Sequence, residues 1–102
     1  MANRNYTEDL HEELLDLDYA SGYLSDCYQL GMDEFLLGLK DVVDAHGGVS
    51  EISKNTGLNR EGLYRLLSEN GNPRLSSLNS ILEALGLKIS FSIREKDEKE
   101  AA

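Results

Sequence analysis

The residues of this chain best suited to recognition chemistry fall within ten positions: Asn59, Arg60, Glu61, Tyr64, Arg65 and Ser68. Wound into a helix from about Arg60 to Ser68, they face outward while Leu63, Leu66 and Leu67 face inward. Arginine can bond guanine O6 and N7 bidentately, asparagine can read adenine, and tyrosine can bond phosphate or pack on a thymine methyl. Such a row suits the major groove of DNA, and the N-terminal end, with Asn59, Arg60 and Glu61, is best placed for base edges. Arg74 follows an Asn70-Gly71-Asn72-Pro73 turn and reads either as a phosphate contact or as a solvated surface arginine.

Other chemistries find little material. Cys27 is the lone cysteine, and His11 and His46 are too far apart for zinc-ligand spacing. Neither a glycine-rich phosphate loop nor a nucleophile motif occurs, and no carboxylate pair stands in a context that suggests a pocket. The sequence therefore predicts no enzyme, no metal and no cofactor. A single cysteine cannot close an internal disulfide. No apolar run approaches the ~20 residues of a membrane span, and no signal-peptide pattern opens the chain. A cytoplasmic protein is the expectation.

A recognition row needs a scaffold, and the segment from Gly48 to Ser92 has the spacing of a helix-turn-helix. The first helix requires an apolar residue and then a small one, the turn a glycine, and the second helix apolar residues on its inner side. Ile52, Ser53, Gly57, Leu58, Leu63 and Leu66 supply these in order. Ser53 stands where alanine is commonest, and Thr56 is less apolar than its slot prefers. Asn59 is a good N-cap for the second helix. Gly62 costs about 1 kcal/mol of helix propensity against alanine, for which close approach to DNA and local packing are both reasons. Two packed helices that never touch DNA satisfy the same spacing.

The segment Gly57 to Arg65, followed by Leu67-Ser68-Glu69-Asn70-Gly71-Asn72-Pro73-Arg74, resembles the addiction-module antidote proteins. These are Cro/repressor-type helix-turn-helix antitoxins of bacterial type II toxin–antitoxin modules, related to HigA-like antitoxins. Leu78 to Leu87 is similar to the family's last core helix, and the Tyr19-Ala20 and Tyr23-Leu24 pairs with Phe35 to His46 are similar to its N-terminal helices. The likeness runs from about Leu17 to Ile93. It implies dimeric binding to operator DNA, repression of the module's own operon, and neutralisation of a small RelE/ParE-like toxin by direct contact. A stand-alone prophage-type transcriptional regulator, or an interaction module that has lost DNA binding, remains open beside it.

The 102 residues carry a net charge of -9, which on average argues against a nucleic-acid binder. Residues 1–48 hold eleven acids and two bases, residues 49–93 four acids and five bases, and residues 94–102 four acids and three bases. The negative excess is confined to the first half. There it reads either as a solvated face or as a surface for a basic toxin, with Tyr6, Asp9, Glu12, Glu13, Asp16 and Tyr28 as the candidates.

The expected fold is all-α: an acidic helical extension over 1–31, a helix-turn-helix domain with a short C-terminal strand over 32–93, and a charged tail over 94–102. Thr7 and Asp18 are helix caps, Gly31 ends a helix, Asp33 starts the next, and Gly47-Gly48 stops it. Leu87, Ile89, Phe91 and Ile93 alternate with polar residues, the period of a strand with one buried face. A lone strand has no partner for its backbone groups. Pairing with the same strand of a second chain gives a homodimer, and an extended tail lying on its own core is the other reading.

Overall fold

The computed structural model describes residues 6–68 and 71–95. Among these are six α-helices and no strand: α1 Tyr6–Leu14, α2 Leu17–Leu30, α3 Met32–Ala45, α4 Gly48–Thr56, α5 Arg60–Leu66 and α6 Leu75–Leu85. The predicted charged tail lies outside the described residues beyond Glu95.

The apolar spacing decides what each helix buries. Leu36, Leu39, Val42 and Val43 recur at helical period along α3 and are fully buried. They meet Leu10 and Leu14 of α1, Ala20 and Leu24 of α2, and Val49 and Ile52 of α4 in one core, which continues through Leu63 and Leu67 to Leu78, Ile81, Leu82 and Leu85 of α6. Burial of a leucine of this kind contributes about 1.5–3 kcal/mol. That is a large share of the roughly 5–15 kcal/mol that holds a small domain folded.

The boundaries differ from expectation at several caps. Helix α1 begins at Tyr6, so Thr7 lies inside it. Asp16, not Asp18, caps α2: its carboxylate accepts from the Asp18 backbone N–H at 2.9 Å. The chain leaves α1 through a turn at Leu15 and Asp16, which sets Asp16 in the extended conformation that a cap requires. Helix α3 starts at Met32 because Gly31 alone joins it to α2. Gly31 adopts φ 137°, a backbone conformation that side-chain-bearing residues rarely take, so glycine is needed there. Cys27 Sγ packs so closely over Gly38 that a Cβ would meet it at 2.6 Å, which brings α2 and α3 together tightly.

The expected strand is absent from the single chain. Residues 87–95 carry no regular secondary structure. Leu87 packs on the core and its N–H donates to the Leu82 carbonyl at 2.8 Å, while Ile89, Phe91 and Ile93 are exposed. Without a second strand, a ladder would leave its backbone groups unpaired.

Candidate nucleic-acid interface

Helix α5 has seven residues, too short to persist alone in water, so its neighbours must hold it. Leu63 and Leu67 anchor it in the core. Gly57 makes the turn into it possible, at φ 80° in the left-handed region. A set of side-chain bonds then fixes the turn. Ser53 Oγ donates to the Leu58 carbonyl at 2.6 Å, Thr56 Oγ1 donates to the Ile52 carbonyl at 2.7 Å, and the Leu58 N–H donates to Thr56 Oγ1 at 3.1 Å. The two residues that departed from an apolar pattern thus satisfy the polar groups of a half-buried turn.

Asn59 caps α5, its Oδ1 accepting from the Gly62 N–H at 2.6 Å. A Cβ at residue 62 would lie 3.0 Å from that Asn59 Oδ1, a close but adjustable contact. The Asn59 side-chain oxygen already accepts one hydrogen bond, which leaves its second lone pair and the Nδ2 donors. Ser68 lies just past the end of α5, and its hydroxyl donates to the Arg65 carbonyl at 2.7 Å.

The outward face is as the sequence predicts. Asn59, Arg60, Glu61, Tyr64, Arg65 and Ser68 are all exposed. Glu61, Tyr64, Arg65 and Ser68 line one open depression, whereas Asn59 lines a neighbouring hollow with Leu58, Gly62, Leu63, Leu66 and Ser77. Ser77, in the first turn of α6, joins that lining although the sequence did not single it out. Arg74 itself is exposed immediately before α6, whose N-terminus no side chain caps.

The six acidic-surface candidates are carried by α1, by the cap of α2 and by α2 itself. Tyr6, Asp9, Glu12 and Glu13 lie on α1, and Asp16 is committed to capping α2. Tyr28 is twelve residues further along α2, about 18 Å at helical rise. Its ring instead meets Phe35 edge to face, with centroids 5.7 Å apart. Lost hydration first, and then the charge and hydrogen bond of Glu13, raise the pKa of Tyr19. Burial pushes the Cys27 thiol up, which disfavours a reactive thiolate. Among the described residues no cluster of three or more His, Cys, Asp or Glu can hold a metal ion, and no helix is long and apolar enough to cross a membrane.

The family model described as probable addiction module antidote protein matches residues 5–93. An uncharacterized protein of Haemophilus influenzae is 33% identical over 81 residues, covering 78% of this chain and 82% of that protein. No solved structure gives a significant match. The matched span begins before α1, so the family likeness includes the acidic first helix as well as the segment from Leu17 onward. The chain belongs to the family of probable addiction module antidote proteins.

Proposed function

We propose that this chain is the antitoxin of an addiction module, a cytoplasmic, non-enzymatic protein that binds operator DNA as a homodimer and neutralises a small basic toxin by contact. The observation that carries the DNA half is the exposure of Arg60, Tyr64 and Arg65 on a helix otherwise held by Leu63 and Leu67. In the major groove, Arg60 and Arg65 read guanine edges, Tyr64 packs on phosphate or a thymine methyl, and the Asn59 amide donates. Arg74 and the uncapped N-terminus of α6 hold phosphates, where backbone N–H groups and the helix dipole favour an anion. Repression of the module's own operon follows from occupancy of its promoter. Family membership supports the toxin half, and a RelE/ParE-like toxin, basic because it must hold phosphates, fits the acidic first half.

A gel-shift titration on the promoter upstream of this gene tests the DNA half. Arg60→Ala and Arg65→Ala each weaken binding by about 1–3 kcal/mol, roughly five- to 150-fold, without unfolding the domain. Unchanged affinity overturns the assignment of α5. Co-expression with the product of the adjacent reading frame tests the other half: growth arrest by that product alone, relieved by this chain, is the expected result. A harmless product leaves a stand-alone regulator, and absence of both activities leaves an interaction module.

A further inference from the structure

We propose that the tip of the α2–α3 hairpin is the surface that takes the basic partner, an inference that rests on the antitoxin reading above. Three large apolar residues crowd this tip within five positions: Tyr28 is 60% exposed, Leu30 73% and Met32 48%. None of them belongs to the core. Exposed apolar groups concentrated in this way mark interaction surfaces rather than scattered surface residues.

The tip is also rigid. Gly31 is the whole connection: its N–H donates to the Tyr28 carbonyl at 3.1 Å and its carbonyl accepts from the Phe35 N–H at 2.9 Å. Phe35, itself packed on the core, fixes the Tyr28 ring edge to face. A patch held in place before binding loses little conformational entropy when a partner arrives.

Charge selects the occupant. Asp26, Asp33 and Glu34 surround the apolar residues in sequence, and neither Lys nor Arg occurs from Asp26 to Leu39. Lys40, the next base, is paired with Asp44 at 3.0 Å. An apolar centre with an acidic rim fits a partner whose apolar anchors are ringed by Lys and Arg. A second copy docking on the same patch would set this acidic rim against itself, because a two-fold interface is self-complementary. DNA is repelled by the same charge. Helix α3 is 14 residues long, about 21 Å at helical rise, so the tip lies at the opposite end of that helix from α4 and leaves α5 accessible.

The test uses the full chain and the purified, tagged product of the adjacent reading frame, with binding measured by titration calorimetry. Leu30→Ser and Asp33→Lys, each at an exposed position, are expected to weaken binding about tenfold or more. Tyr6→Ala on α1 is expected to stay within about twofold, and thermal melts check that all three variants fold. Undiminished binding by both hairpin variants, or a larger loss from Tyr6→Ala, overturns the surface while leaving the antitoxin reading intact. Failure of the unmodified chain to bind that product overturns both. A hairpin variant that changes the oligomeric state of the free chain assigns the patch to a second copy and overturns the proposal as well.

Discussion

His46 and Leu14 tie the C-terminus of α3 to the C-terminus of α1: the imidazole Nε2–H donates to the Leu14 carbonyl at 2.9 Å across 32 residues of sequence. A carbonyl can only accept, so Nε2 carries the proton. The last carbonyls of a helix have no intrahelical partner, and Leu14 closes α1 with a fully buried side chain. His46→Ala leaves that carbonyl unpaired beside the core and opens a gap. We expect a loss of about 1–3 kcal/mol, read as a lower midpoint in urea, with DNA affinity unchanged where the variant is folded.

Tyr23 makes stability fall at high pH. Its hydroxyl donates to Asp41 Oδ2 at 2.8 Å, and burial first, then this bond and the Asp41 charge, raise its pKa well above 10. In the unfolded chain the phenol titrates near its ordinary value of about 10. Above that pH the unfolded state sheds a proton that the folded state keeps, so folding stability declines as pH rises. The contribution is fully present below pH ~10 and is lost above it. Tyr23→Phe should flatten this alkaline limb relative to the unmodified chain in denaturation curves taken between about pH 8 and 11.

How much of this was legible in the sequence follows from the range of the interactions involved. The helices and the inward set of α5 are local, since residues three and four apart settle which side is apolar, and Leu63 and Leu67 are buried as read. Asp16 displaced Asp18 as a cap because the cap depends on backbone dihedrals at the α1–α2 corner, which no spacing rule reports. Tyr28 shares a residue type with Tyr6 but stands near the far end of α2 from Asp16, a separation set by the length of α2. Ser53 and Thr56 looked like defects against an apolar template. Their bonds to Leu58 and Ile52 exist only after the turn has closed.

Asn59 caps α5, and one substitution separates that cap from the DNA contact proposed for it. Asp is as good an N-cap as Asn, so Asn59→Asp keeps the bond to the Gly62 N–H and the stability of α5. It also removes the amide donors and places a negative charge at the N-terminal end of α5, the end proposed to enter the groove. A thermal midpoint close to that of the unmodified chain, with promoter binding weakened about tenfold or more, is expected. Asn59→Ala should instead lower stability by about 1 kcal/mol through the lost cap. Equal DNA affinity for Asn59→Asp and the unmodified chain would show that residue 59 is a cap and nothing more.

Phe91 and Ile93 are 92% and 94% exposed, although they continue the alternation that begins with Leu87 on the core. A chain that keeps two large apolar residues in water at that period presents one face of a strand to a ladder it cannot build alone. In the homodimer proposed above, the same segment of a second copy would supply both the backbone partners and the apolar face. Half-sites one DNA turn apart call for such a two-fold pair. Analytical ultracentrifugation of the unmodified protein should give twice the 11.4 kDa chain mass. Phe91→Ser combined with Ile93→Ser should shift it to the monomer and weaken promoter binding, since each half-site is then held singly. These two residues lie apart from the core, so the melting curve of the double variant at low protein concentration should match that of dissociated unmodified chain. A dimer that survives both substitutions would place the two-fold contact elsewhere and leave residues 87–95 as a tail.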